Sequence, residues 1–311
     1  MAISDTEVFT KNAKHILKYI SPSEIIDKIR MFREIDLKTI SDNDLEQAIE
    51  NVLSVNVDGE KKSVLLNFSK IIGEKYIKIP FCRIRRLTTE DIRLKDFVSM
   101  RNVKDAWGPR TEHVKFKGRL NKEHESLLYV ADTLETALKE TRIKPGEPFY
   151  YIEYISKRPF RACYIGEWQD FMELNELERL KLQLINEFLI NEFSKDVGIG
   201  IEYLYRASEI ISKKFFHQDS VQDAWCYPSI VNKKRYNYCF YPEKAIECLN
   251  LVGVRICKLV VQDGEKVQIV LDAISSESNG DFTYHKIDSE ISQKTFLLMN
   301  AAYGLNFTKS T

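Results

Sequence analysis

The sequence predicts an α+β fold: a mixed sheet core with flanking helices, preceded by a small helical N-terminal domain. Three observations predict it. Apolar residues recur at helical spacing up to about residue 73, short runs rich in aromatic and β-branched residues take over after it, and the two kinds of segment do not alternate regularly. A doubly wound parallel sheet would need that alternation.

Taken in order, Val8, Ala13, Ile16 and Leu17 form one helical stripe, and Ile25, Ile26, Ile29 and Phe32 another. Ser21-Pro22-Ser23 and Ser41-Asp42-Asn43-Asp44 supply caps before the second and third helices. A boundary near 73–75 separates this domain, residues 1–75, from residues 76–311, which open on the β-rich run YIKIPFCRIRR. Next, SLLYVAD reads as a strand, TLETALKETR as a helix and PFYYIEYI as a strand. Residues 170–193 read as a long amphipathic helix with Leu174, Leu177, Leu184 and Phe188 on one stripe, a surface that would suit core packing or a homodimer. A further helix covers about 202–215 and the turn HQDS follows it. VRICKLVV, KVQIVLDAI and FTYHKI then read as strands, and a last helix contains TFLLMNAAY.

Composition excludes several functions. With 44% hydrophobic and 30% charged residues the chain can bury a core, and no run approaches the roughly 18 apolar residues of a membrane span. The 46 basic residues balance the 46 acidic ones, so no global field draws nucleic acid or anionic lipid, and direct nucleic-acid binding is not expected. Its first residues lack a secretory pattern, which makes cytoplasmic residence the expectation. Six cysteines stand singly among apolar neighbours and read as reduced core residues. Five histidines show no metal spacing, so no metal is expected, and Gly198-Ile199-Gly200 lacks the third glycine of a dinucleotide fingerprint. Lys213-Lys214 and Lys233-Lys234-Arg235 read as solvated pairs, the latter placed to help hold phosphate, and His217 as a surface loop residue.

The stretch from Gly118 to Glu140 carries the chemistry. It reads as a loop, a buried strand and a helix, with Asp132 capping the helix, Glu135 completing a capping box, and Leu134 and Leu138 facing the core. Glu140 falls toward the helix C-terminus, where the macrodipole disfavours a carboxylate unless a positive charge offsets it. Arg119 and Arg83 are the candidates for that charge.

FCRIRR, GRLN, LLYVADTLETALKE and AWCYPSIVNKKRYNYCFYP together resemble the RES domain family over about 77–261. That resemblance implies an ADP-ribosyltransferase-like fold and an NAD⁺-degrading activity, commonly that of the toxin in a toxin-antitoxin pair. Matched residue by residue, it places NAD⁺ binding on Arg83, Arg119, Asn121, Tyr129 and Ser229, and catalysis on Glu140, Arg119 and Tyr129. Arg85 or Arg86 is the alternative to Arg83, because the gap to Arg119 is longer than the family's. The loop KEHES also departs from the family, which has a proline and glycine turn there.

The chemistry asks for these residue types. An arginine fork donates two charge-assisted bonds to a diphosphate. Breaking the nicotinamide–ribose bond develops oxocarbenium character that Glu140 would stabilise while holding a ribose hydroxyl. Tyr129 would stack on the cationic nicotinamide, and Ser229 would hydrogen-bond the ribose or the amide. The expectation is therefore an NAD⁺ glycohydrolase or phosphorylase, with NAD⁺ as substrate and no cofactor. An ADP-ribosyltransferase acting on a macromolecule and a non-catalytic NAD⁺-binding module are the alternatives. A helix-turn-helix antitoxin is the partner that the resemblance implies, and residues 1–75 would serve as a regulatory domain or a buttress.

Overall fold

The computed structural model describes residues 14–63, 72–75, 77–94, 98–166, 174–198, 200–217, 221–230, 235–262, 266–286 and 289–290. Its helices are α1 (Pro22–Arg33), α2 (Asp42–Val52), α3 (Thr89–Leu94), α4 (Val103–Ala106), α5 (Leu134–Thr141), α6 (Glu176–Phe193), α7 (Arg206–Phe215) and α8 (Pro242–Cys248). The strands are β1 (Ser54–Val57), β2 (Glu60–Ser63), β3 (Ile72–Lys75), β4 (Pro80–Arg86), β5 (Leu128–Ala131), β6 (Pro148–Ser156), β7 (Phe160–Tyr164), β8 (Ala224–Pro228), β9 (Tyr236–Phe240), β10 (Leu249–Gln262), β11 (Lys266–Ser278) and β12 (Asp281–Lys286). Strands pair both antiparallel and parallel, as an α+β fold with a mixed sheet requires.

These residues group into two units. The first draws on Met1–Glu74, Thr111–Glu125 and Arg161–Ile230, the second on Lys75–Arg110, Ser126–Phe160 and Val231–Thr311. Residues 1–74 fall in one unit with 111–125 and 161–230. The physical reason is the fate of their apolar stripes. Ser21 and Ser41 cap α1 and α2, as expected, by accepting from Glu24 N and Asp44 N, and the two helices bury Ile25, Ile29 and Phe32, and Leu45, Ile49 and Val52. Two short helices cannot cover those stripes alone. Phe32 meets Phe188 of α6 edge to face at 5.1 Å. Arg206 of α7 donates to the carbonyls of Leu37 (2.6 Å) and Ile40 (2.7 Å) and pairs with Asp42, while Lys181 of α6 reaches the Leu17 carbonyl.

Two local expectations change. The helical reading up to residue 73 gives way at Ser54 to the β1–β2 hairpin, whose two-residue turn is Asp58 (φ 51°) and Gly59 (φ 85°). Asp-Gly supplies the left-handed pair that such a turn needs. In α6, Asn175 and Glu178 form a capping box, and the buried stripe runs through Leu182, Ile185, Phe188, Leu189 and Phe193. Leu177, expected on that stripe, is instead 53% exposed. Also in this unit, β7 and β8 run parallel, from Ala162↔Ala224 to Tyr164↔Cys226.

In the second unit the strands stand in the order β12-β11-β10-β6-β4-β5-β9, and every pairing between them is antiparallel. One face carries α5. Cys82, Ile84, Ala131, Phe149, Tyr151, Cys257, Leu259 and Ile274 bury there against Ala137 and Ile143, with Leu134 and Leu138 packed alongside as expected. On the other face Phe81, Phe160, Tyr238 and Phe240 interlock, with ring centroids 5.0–6.3 Å apart. All six cysteines are buried thiols. TFLLMNAAY, HQDS beyond His217, Lys233-Lys234 and the first stripe up to Ala13 lie outside the described residues. Among those described, no helix is long and apolar enough to cross a membrane.

Candidate active site

Glu140 belongs to the last turn of α5, and what starts that helix differs from the expectation by one residue. The N-cap is Thr133, whose hydroxyl accepts from Thr136 N at 3.2 Å, not Asp132. Glu135 completes no capping box; it pairs with Lys139 at 2.6 Å one turn on. Thr133 wins because its short hydroxyl reaches the third amide while its backbone stays extended.

The other end of α5 is held by an arginine. Arg86 Nη2 donates to the carbonyls of Thr141 (2.8 Å) and Arg142 (2.7 Å), and its Nη1 pairs with Glu147 at 2.6 Å. Arg142 is the C-cap in a left-handed conformation, φ 52°, which costs a non-glycine residue about 1 kcal/mol. The Arg86 fork offsets that cost and neutralises the negative end of the helix. Arg86, rather than Arg83 or Arg119, therefore supplies the cation at this helix end.

A neutral group fixes the carboxylate itself. Asn237, 7% exposed, donates from Nδ2 to Glu140 Oε1 at 2.9 Å. The ladder explains the meeting. Ala131 of β5 stands opposite Asn237 of β9 and Cys82 of β4, and Tyr129 stands opposite Cys239. Residues directly opposite share a face, so Tyr129, Asn237 and Cys82 all lie on the side that α5 covers. Tyr129, partly exposed, is thus placed on the face that carries Glu140.

Arg83 is not brought to them. It lies one residue from Cys82 on β4 and so points to the opposite face, where its guanidinium donates to the Trp107 carbonyl and neighbours the Tyr154 hydroxyl. Burial pushes its charged form toward the neutral one, and Tyr154 partly counters this. Arg85 shares that face. The expected arginine of FCRIRR thus divides into two structural duties, a carbonyl contact for Arg83 and a helix cap for Arg86.

The remaining predicted residues belong to the first unit. Gly118 N donates to Asn121 O at 3.0 Å, which closes GRLN into a tight turn, and the buried Asn121 amide donates to the carbonyls of Lys122 (2.9 Å) and Phe116 (3.4 Å). Arg119 projects from this turn to the C-terminal end of α6, donating to the carbonyls of Phe193 (3.0 Å) and Lys195 (3.2 Å), with its guanidinium 5.3 Å from the Tyr205 ring centre. Phe193 also packs on Tyr227 at 6.1 Å, so it links the arginine turn to the tyrosine-proline-serine segment. Ser229 follows β8 and is fully buried. Glu125 anchors the loop through an ion pair with Lys213 of α7. His217 is no plain surface residue, since its ring stacks on Trp225 at 5.8 Å.

Sequence reasoning missed Asn237 and the setting of Asp132. Asp132 Oδ2 accepts from Tyr236 N at 3.4 Å and lies 3.8 Å from Arg235 Nη1, so the start of β9 holds two carboxylates at once. Burial raises the Asp132 carboxyl above the usual range, against the lowering pull of the Tyr236 amide and Arg235. A polar residue at the first positions of a strand soon after YPS is the one signal that points to Asn237. Among the described residues, no group of three His, Cys, Asp or Glu is placed to hold a metal ion.

A family model described as the RES domain matches residues 93–256, more than half of the chain. Arg119, Asn121, Tyr129, Glu140 and Ser229 fall inside the match, as do Asp132 and Asn237, whereas Arg83, Arg85 and Arg86 lie before it. None of the curated proteins matches the chain.

Proposed function

The chain belongs to the RES domain family, and from that membership and the setting of Glu140 we propose that it consumes NAD⁺ by breaking the nicotinamide–ribose bond. The observation that carries this reading is the 2.9 Å bond from Asn237 to Glu140, on the same sheet face as Tyr129. An amide donor holds a carboxylate oxygen in place without cancelling its charge. As the bond to nicotinamide lengthens, positive charge grows on the ribose, and a pre-oriented carboxylate stabilises it more than it stabilises the ground state. Tyr129 offers a ring face to the nicotinamide, whose charge before cleavage adds about 0.5–2 kcal/mol of cation-π attraction. Arg119, Asn121 and Ser229 are carried over from the family as NAD⁺-contacting residues.

Purified protein incubated with NAD⁺ is expected to release nicotinamide. Glu140→Gln, which keeps the shape and the Asn237 partner's geometry, should lower turnover by about 100- to 1,000-fold. Folded wild-type protein that releases none, or a Glu140→Gln variant that works at the wild-type rate, sinks the reading.

A further inference from the structure

Arg119 is held by two carbonyls and a ring. Its Nε and Nη2 donate to Phe193 O (3.0 Å) and Lys195 O (3.2 Å) at the end of α6, and its guanidinium lies over the Tyr205 ring, 5.3 Å from the centre. The ring takes the guanidinium by its face and so competes for none of its N–H donors. A planar group with five donors can serve two carbonyls and a ligand at once. An arginine without such a grip samples many rotamers and loses that freedom on binding.

Both holders lead to the N-terminal helices. Tyr205 is the N-cap of α7, and Arg206 is the first residue of that helix. The Arg206 side chain, 11% exposed, grips the turn between α1 and α2: it donates to the carbonyls of Leu37 and Ile40, and from Nε to the Asp42 carboxylate at 3.0 Å. Charge-assisted bonds to three acceptors fix the first turn of α7 and with it the backbone that carries Tyr205. The same helices brace α6, through Lys181 on the Leu17 carbonyl at 2.7 Å and Phe32 on Phe188. A direct route to the arginine turn, Lys117 with Asp42, is 4.0 Å long and 69% exposed at Asp42, so water screens it and it contributes little. The coupling runs through α7 and α6.

Resting on the NAD⁺ reading, we propose that Tyr205 and Arg206 are positioning residues for NAD⁺ binding. Tyr205 sets the plane of Arg119, Arg206 sets Tyr205, and residues 14–57 thereby become part of the binding apparatus. These helices precede the family match at 93–256 and so fall outside what the family implies. The part of NAD⁺ that suits an arginine plane is its diphosphate. That group takes no part in the breaking of the nicotinamide–ribose bond, so a contact to it serves the ground state and the transition state alike. Loss of its alignment therefore raises KM and spares kcat.

The experiment is a double-mutant cycle on KM for NAD⁺, read as nicotinamide release by the full chain. Tyr205→Leu is expected to raise KM about 10-fold with kcat within about twofold, whereas Tyr205→Phe, which keeps the ring, holds the wild-type KM. Arg206→Met should raise KM about threefold; if it does not fold, Arg206→Lys, which keeps the charge without the planar fork, takes its place. In an Arg119→Ala background neither change should raise KM further, because both act through that guanidinium. Effects that add in that background overturn the proposal, as general damage to the fold would produce them. So does an unchanged KM in folded Tyr205→Leu or Arg206 variants, or an Arg119→Ala protein with no turnover at all, which would put Arg119 in the chemical step. Wild-type protein that releases no nicotinamide instead overturns the NAD⁺ reading itself, and this proposal with it.

Discussion

Two helices of this protein end in the same way and put the result to different use. At the end of α5, Arg86 takes the carbonyls of Thr141 and Arg142; at the end of α6, Arg119 takes those of Phe193 and Lys195. Each last turn also carries a glutamate. Glu192 of α6 is 4% exposed and pairs with Lys195, while Glu140 of α5 is partly exposed and accepts from the Asn237 amide. A lysine fixes a carboxylate and neutralises it, whereas an amide fixes it without adding charge. The contrast teaches that the partner of a helix-end glutamate, rather than its place on the helix, separates a structural carboxylate from one suited to chemistry.

The widest test of this contrast is the same substitution at both ends. Glu140→Gln is expected to remove about 100- to 1,000-fold of NAD⁺ turnover, and Glu192→Gln to leave turnover within about twofold, measured as nicotinamide release. Equal losses would erase the distinction. Next in size, Asn237→Ala frees Glu140 from its donor while keeping its charge. The expected result is a kcat lowered about 10-fold with a KM that moves little, which marks Asn237 as a positioning residue. An unchanged kcat would show that Glu140 needs no holder.

Arg86→Ala sharpens the comparison from the side of stability. It removes two bonds to carbonyls and the support for a left-handed cap, and the Glu147 contact it also loses is exposed and weak. A loss of about 1–2 kcal/mol in urea unfolding is expected. The smallest effect concerns pH. Burial raises the Glu192 carboxyl despite Lys195, so the folded state holds this proton more tightly than the unfolded chain does. Stability from this group is therefore fully present below the unfolded value of about 4.3 and lost as pH rises through the raised folded value. Glu192→Gln should flatten that decline, which urea midpoints taken at acidic and neutral pH would reveal.

Much of the fold and part of the candidate site are legible in the residues themselves. The stripes of α1 and α2, their serine caps, the strand carrying Tyr129, and the inward Leu134 and Leu138 all follow from periodicity and short-range capping, which act over a few residues. The β1–β2 hairpin is legible in principle from Asp58-Gly59, but the helical text before it conceals the change of period. Residue types alone place the cap of α5 one residue early, because Asp132 and Thr133 are both good caps and only the backbone turn at the strand end decides between them. FCRIRR offers three arginines. Strand alternation puts Arg83 and Arg85 on one face and Arg86 on the other, yet which face carries α5 is a matter of packing.

Local sequence thus determined that residues 128–141 form a strand and a helix bearing Tyr129 and Glu140, since alternation, caps and helical period are properties of neighbouring residues. Tertiary structure alone decided that Glu140 meets Asn237, that Asp132 meets the Tyr236 amide, and that residues 14–57 join 161–230 in one unit. Those outcomes depend on strand register and on which apolar stripes cover one another. Both are settled between segments on the order of a hundred residues apart, where no local pattern reaches.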